Sequence, residues 1–190
     1  MAKVAISSNA FTYPMPVVLV GSIIKSRANF AAVAWVTRAN RKPPMLAVAL
    51  GPHHTNEGIH AHGEFSANVP GVEMFRAVDY CGLVSGRVRD KSLLFATFRG
   101  ELEFAPMIEL CPVTMECRLV QAIALPSNTL FIGEIVGAYC EEHALTDGLP
   151  DIQKVEPFTL SMPDNRYWRV GQFVGQAWSS GRDYAHAPHQ

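Results

Sequence analysis

The chain contains no Gly-x-Gly-x-x-Gly and no Gly-x-x-x-x-Gly-Lys-Ser/Thr, so neither a Rossmann dinucleotide site nor a P-loop is available to hold a nucleotide. It also lacks a Gly-x-Ser-x-Gly elbow and a convincing cysteine–histidine nucleophile pair. Cysteine is scarce: Cys81, Cys111, Cys117 and Cys140 form no Cys-x-x-Cys pair and are too few to staple 190 residues. Each lies among apolar neighbours, so they read as buried free thiols, which favours a reducing cytoplasm. Long apolar runs are missing as well. The stretch 15–24 is too short for a bilayer, is broken by Pro16 and Gly21, and lies too far from Lys3 for a signal peptide, so no membrane role is indicated. A net charge of only −1 argues against a general nucleic-acid binder.

Hydrophobic residues make up 48% of the chain against 17% charged, the balance of a well-cored globular protein in one domain spanning residues 1–190. The charges are unevenly placed. Residues 1–100 carry a net +6 and residues 101–190 a net −7. The basic half holds three clusters: Lys25 with Arg27, Arg38 with Arg41 and Lys42, and Arg87 with Arg89 and Lys91. This asymmetry fits an anionic small ligand held mainly by the first half, and equally an uneven surface.

Strand signals dominate. Short runs rich in Val, Ile and Ala at 17–22, 29–37 and 45–50 are separated by turn formers and by Pro43-Pro44. Two longer runs, 114–125 and 129–140, are joined by Pro126-Ser127-Asn128 and predict a hairpin. In the first, Met115, Cys117, Leu119, Ile123 and Leu125 share one face, and Glu116 and Arg118 take the other, as in a half-buried strand. The second is apolar on both faces, which calls for a barrel interior on one side and a partner on the other. Short helices are expected at 56–62 and 73–80, and the acidic stretch 141–157 reads as a surface excursion. The pattern predicts a small antiparallel β-barrel with appended short helices.

Three constellations bear on chemistry. His53, His54, His60 and His62 crowd together, yet spacings of one and two residues splay the side chains apart, and no metal site is expected. Ser85-Gly86-Arg87-Val88-Arg89-Asp90-Lys91 puts three cations beside a glycine that lets backbone approach a ligand, which suits a phosphate; an ordinary solvated loop has the same composition. In 29–37, alternation places Asn29, Ala31, Val33, Trp35 and Thr37 on one face, where small residues between an amide and an indole leave a slot for a flat ring. Trp35 as a plain core aromatic is the other reading.

The order of segments carries a resemblance. Tyr13-Pro14-Met15-Pro16-Val17, Asn29 to Trp35, Pro43-Pro44, Thr55-Asn56, Gly63 to Asn68, Ser85-Gly86-Arg87 with Asp90-Lys91, Phe131-Ile132-Gly133-Glu134 and Tyr167 follow one another as in the flavin reductase-like, FMN-binding split-barrel family, closest to its flavoredoxin branch. The resemblance runs from about Tyr13 to Gly171. It implies an antiparallel Greek-key split barrel that forms a homodimer, with FMN near the subunit interface.

The same resemblance implies cofactor contacts at Asn29, Trp35, Thr55, Asn56, Arg87, Lys91, Asn128 and Phe158. Arg87 and Lys91 would meet the phosphate, with Arg89 left solvated. Asn29 and Thr55 would bond the ring edge or ribityl chain, and Trp35 and Phe158 would wall the ring. Asn128 stands where close members show a His-Thr pattern. The implied activity is an NAD(P)H-dependent flavin or FMN oxidoreductase with NADH or NADPH as transient reductant and no catalytic side chain. The alternatives are an electron carrier serving a redox protein partner, or a non-catalytic FMN-binding module.

Overall fold

In the computed structural model, which describes residues 2–182 and 184, the chain begins its ordered pairing with β1 (Met15–Pro16) and the hairpin β2 (Val18–Ile24) and β3 (Arg27–Val33). Then come β4 (Val36–Asn40), β5 (Met45–Leu50), α1 (Thr55–His62), β6 (Glu64–Val69) and α2 (Phe75–Leu83). A small ribbon, β7 (Thr97–Phe98) with β8 (Met107–Ile108), precedes the long hairpin β9 (Val113–Ala124) and β10 (Thr129–Cys140). The chain continues through β11 (Leu145–Thr146), β12 (Leu149–Pro150), α3 (Ile152–Val155), β13 (Phe158–Ser161) and β14 (Arg166–Arg169).

Seven strands form one antiparallel sheet in the order β3-β2-β6-β9-β10-β5-β4. Its two edges, β3 and β4, are consecutive in sequence and separated only by Ala34 and Trp35. A sheet whose first and last strands are so closely tethered has to curl round on itself, yet the edges do not hydrogen-bond as a ladder. The result is a barrel split along one seam, in line with the expected architecture. The expected strand 29–37 is therefore two strands, because the chain crosses the seam at Ala34–Trp35.

The first strands are apolar on both faces, for two cores. Val18, Val20, Ala31, Val33, Val48 and Phe131 fill the barrel interior with Phe65 and Ile59. Val17, Leu19 and Phe30 point outward against Met74, Val78 and Cys81 of the α2 region and Phe158 of β13. In β10 Phe131 is buried in the barrel, while Leu130, Ile132 and Val136 of this chain stay half-exposed. The excursion 141–157 folds as a small hairpin and α3, tied back by a bridge from Pro157 to Gly71.

Glu116 corrects the alternation drawn from the sequence. It is fully buried, not solvated, while its neighbour Arg118 is exposed. The carboxylate accepts the backbone N–H groups of Glu101 (2.9 Å) and Leu102 (2.8 Å) and the Tyr139 hydroxyl (2.9 Å). It thereby pins the loop 99–106 to the hairpin, as Glu64 does by accepting from Phe104 N–H at 2.7 Å. Gly137 lies against the same carboxylate, and a Cβ there would overlap it. Removing the acceptor leaves the buried Leu102 N–H and the part-buried Glu101 N–H unmatched, so Glu116→Ala should lower stability by about 2 kcal/mol. Urea unfolding checks this; a loss under about 1 kcal/mol would mean that water replaces the carboxylate.

Candidate functional site

Three segments meet at the edge strand β3. The β2–β3 hairpin turns on two residues, Lys25 and Ser26, whose φ angles of 47° and 67° are those of a type I′ turn made without glycine. The β5–α1 connection brings Gly51 to His54 alongside, and the loop after α2 brings Gly86 to Lys91. Between them lies a pocket of about 670 Å³, lined by Lys25, Arg27, Asn29, His54, Glu57, Gly86, Arg87, Arg89, Asp90 and Lys91, among others.

The floor is a polar knot. Asn29, only 6% exposed, donates from Nδ2 to Thr55 Oγ1 at 2.8 Å. The Thr55 carbonyl accepts from Ser22 Oγ at 2.9 Å, which fixes α1 against β2. Gly58 permits that approach, since a Cβ there would lie 2.5 Å from Ile23 O. Gly86 has the matching role in the loop, where a Cβ would overlap Asn29 Oδ1. Asn56 donates to Gly51 O at 2.9 Å, and its Oδ1 is buried without a partner. With its amide nitrogen donating to Ser127 Oγ at 2.8 Å, Asn128 accepts from Gly51 N at 3.2 Å. The tip of the β9–β10 hairpin is thus tied to the same connection.

Lys91 is the most constrained cation. It is 4% exposed, and its ammonium donates to Phe30 O at 2.9 Å and Cys81 O at 2.8 Å. Phe30 belongs to an edge strand with no outer neighbour, and Cys81 O is one of the last carbonyls of α2. The side chain therefore caps a helix end and takes the place of a missing strand partner. Burial lowers its pKa below the ordinary lysine value. One N–H remains for a ligand in the pocket that Lys91 lines.

The other charges are placed differently. Arg87 donates to Glu57 Oε1 from Nη2 (2.6 Å) and Nε (3.1 Å), and to Pro52 O from Nη1 (3.3 Å). Arg27 pairs with Asp90 at 2.8 Å. Among the described residues Lys25 and Arg89 make no ion pair. Hydrogen bonds from Arg87, and then the His54 imidazole 3.1 Å away, hold the Glu57 carboxyl below its usual pKa. Burial, with the Lys91 and Arg87 charges behind it, keeps His53 below the usual histidine value.

Three of the eight residues singled out from the sequence line this pocket, Asn29, Arg87 and Lys91; Thr55 is bonded to Asn29, while Asn56 and Asn128 are tied to Gly51, outside the pocket lining. The other two lie elsewhere. Trp35, 46% exposed, lines a separate cleft of about 850 Å³ beside the N-terminal segment, with Phe11, Thr37 and Leu130. Phe158 is 2% exposed and packs edge-on against Tyr167 at 5.3 Å in the outer core. Arg89, expected to be a solvated bystander, is exposed but lines the pocket. Sequence reasoning missed Glu57 as part of this site; His54 was visible only as one of a histidine group, and Lys25 and Arg27 only as one of three basic clusters. The remaining histidines of the 53–62 stretch are dispersed, His62 stacking on Phe104 at 3.9 Å and His60 packing on Phe131 at 5.1 Å.

An open antiparallel barrel with a cationic pocket beside its edge strand defines the class: a split-barrel protein. Residues 10–162 match the flavin reductase like domain, and the chain belongs to that family. Among solved structures it is similar to flavoredoxin from Methanosarcina acetivorans, with 49% identity and a TM-score of 0.95 over 97% of this chain and 100% of that one. Flavoredoxin of Desulfovibrio vulgaris (Miyazaki F) is 35% identical, with a TM-score of 0.89 over 95% and 100% of the two chains. An FMN-binding protein from Thermus thermophilus with bound 1-cyclohex-2-enone is 25% identical, with a TM-score of 0.76 over 92% and 98%.

The Lys91 clip has a direct consequence for stability. Lys91→Met keeps the aliphatic stem and leaves two carbonyls without their charged donor, a loss expected to be about 2 kcal/mol. Amide exchange at the C-terminal end of α2 should accelerate with it. Unchanged exchange there would show that the clip does not hold the helix end.

Proposed function

We propose that the chain binds FMN, with the phosphate in the pocket between β3, α1 and the loop 84–91, and works as a redox flavoprotein. The observation that carries this is the meeting of five cationic side chains, at Lys25, Arg27, Arg87, Arg89 and Lys91, around a pocket whose floor is opened by Gly86. A phosphate monoester is close to a dianion at neutral pH, and Arg and Lys donors give it charge-assisted hydrogen bonds. The buried, partnerless Oδ1 of Asn56 suits a hydroxyl of the ribityl chain. Asn29 and Thr55 are already bonded to each other, so they offer a rigid polar floor. Trp35 presents an exposed indole able to stack on a ring that extends beyond the pocket. Phe158 supports the outer core behind α2, and any contact with the ring would be made through that packing.

Bound FMN supplies reversible one- and two-electron redox chemistry. The chain's residues neutralise the phosphate, orient the ligand and shape its access; none is assigned as a proton donor or acceptor. In the favoured reading the protein is an NAD(P)H-dependent flavin or FMN oxidoreductase that meets NADH or NADPH transiently. A second reading, an electron carrier serving a redox protein partner, is favoured by the similarity to two flavoredoxins. A homodimer with FMN near the interface is supported by the half-exposed Leu130, Ile132 and Val136 of β10 and by exposed Val120 and Leu125. Light scattering should then report twice the 20.8 kDa chain mass. Four free thiols support a cytoplasmic setting, and among the described residues no helix is long and apolar enough to cross a membrane.

Purified protein should be yellow and should release FMN, not FAD, on denaturation. The pocket is tested by titrating FMN and riboflavin against the double variant Lys25→Ala/Arg89→Ala. FMN binding should weaken about tenfold while riboflavin binding is unchanged. Equal loss for both ligands would move the phosphate elsewhere. Anaerobic mixing with NADH and NADPH separates the two readings: flavin bleaching with either supports the oxidoreductase, and flavin that stays oxidised under excess of both supports the carrier.

A further inference from the structure

We propose that Glu57 sets how tightly the pocket holds the phosphate of its flavin, because it competes with that phosphate for Arg87. The inference rests on the FMN reading above and adds a residue that determines affinity and exchange.

All three nitrogens of the Arg87 guanidinium donate within the chain, two of them to one oxygen of Glu57. The other carboxylate oxygen lies 3.1 Å from His54 Nδ1, so Glu57 bridges the imidazole and the guanidinium at the pocket wall. Glu57 itself lines the pocket. A carboxylate there stands in for a phosphate: it is an anion held in two-point contact by the arginine that the ligand needs. Incoming phosphate has to displace Glu57 from the guanidinium and then tolerate a negative charge beside it.

The pair is built to exchange. Its side chains are 51% and 50% exposed, and ion pairs at such exposure contribute little and reopen readily. The second acidic residue of the pocket is not an equivalent competitor. Asp90 pairs with Arg27, but its other oxygen accepts the Ser92 N–H at 2.9 Å, which locks the carboxylate into the turn. Lys91 is fixed by two carbonyls, and among the described residues Lys25 and Arg89 have no ion pair to give up. Arg27 can also leave its single, exposed contact with Asp90, but Arg87 is the pocket cation that has all three guanidinium nitrogens committed, two of them to a carboxylate that itself lines the pocket. The specificity at stake is for a phosphate monoester over the uncharged flavin, and for exchange over permanent retention.

The test is an equilibrium titration of the full chain by flavin fluorescence, with FMN and with riboflavin, for the wild type, Glu57→Gln, Arg87→Ala and the double variant. Glu57→Gln should bind FMN about tenfold more tightly and riboflavin within twofold of the wild type. In the Arg87→Ala background the same change should gain less than threefold, because the competition for Arg87 is gone. Glu57→Ala provides a second variant should the glutamine disturb α1. FMN affinity that is unchanged or weaker in both Glu57 variants overturns the proposal, and means that the carboxylate positions Arg87 for the ligand. FMN and riboflavin binding alike in every protein, wild type included, would instead overturn the phosphate reading of the pocket and this inference with it.

Discussion

Ala34 and Trp35 are the whole distance between the two edge strands of the main sheet, and most of the architecture is a response to that tether. Seven antiparallel strands with linked edges curl into a barrel, yet the chain crosses from one edge to the other at Ala34–Trp35 and the two edges do not pair as a ladder. Both edges therefore keep unmatched backbone groups. On the β3 side the remedy is polar and local: the loop after α2 folds back and Lys91 donates to Phe30 O and Cys81 O. The pocket is formed by that repair, because the loop that carries Lys91 also carries Gly86, Arg87 and Arg89.

A buried ammonium is costly unless its donors are matched, and Lys91 meets two carbonyls in place of a carboxylate. It leaves the positive charge uncancelled at the bottom of the pocket, where low exposure strengthens its field. The cations around it form a gradient of commitment. Lys91 is fixed, Arg27 and Arg87 are paired, and Lys25 and Arg89 are unpaired at the rim. On the proposed reading an anion would meet the unpaired charges first and the fixed one last, so that steering and anchoring fall to different residues.

Much of this was legible in the sequence because it depends on local chemistry. The strands 129–140 and 45–50 have the expected bounds, and the Pro126-Ser127-Asn128 turn lies between β9 and β10. The basic loop pointed to Arg87 and Lys91, and Thr55-Asn56 to the start of α1. What escaped depends on registry and on distant partners. Alternation placed Glu116 on the solvent face, but the outward face of β9 is roofed by a loop whose N–H groups need that carboxylate. The 29–37 run looks like one strand because nothing local marks a seam crossing. Glu57 carried no signal, since a single acid on a short helix gains meaning only when a loop thirty residues later brings Arg87 beside it.

The split barrel itself does not choose between enzyme and carrier, because one fold can hold a flavin for either purpose. Retention is the property that separates them. A carrier that meets its donor and acceptor in turn has to keep its flavin through both encounters, whereas a reductase that treats FMN as substrate has to release it. In this pocket the phosphate would find one buried fixed cation, one arginine already held by a carboxylate, and two unpaired cations at the rim. Such an arrangement would anchor the phosphate at few points. Under the proposed competition for Arg87 the flavin is one that exchanges, which supports the reductase reading over the carrier.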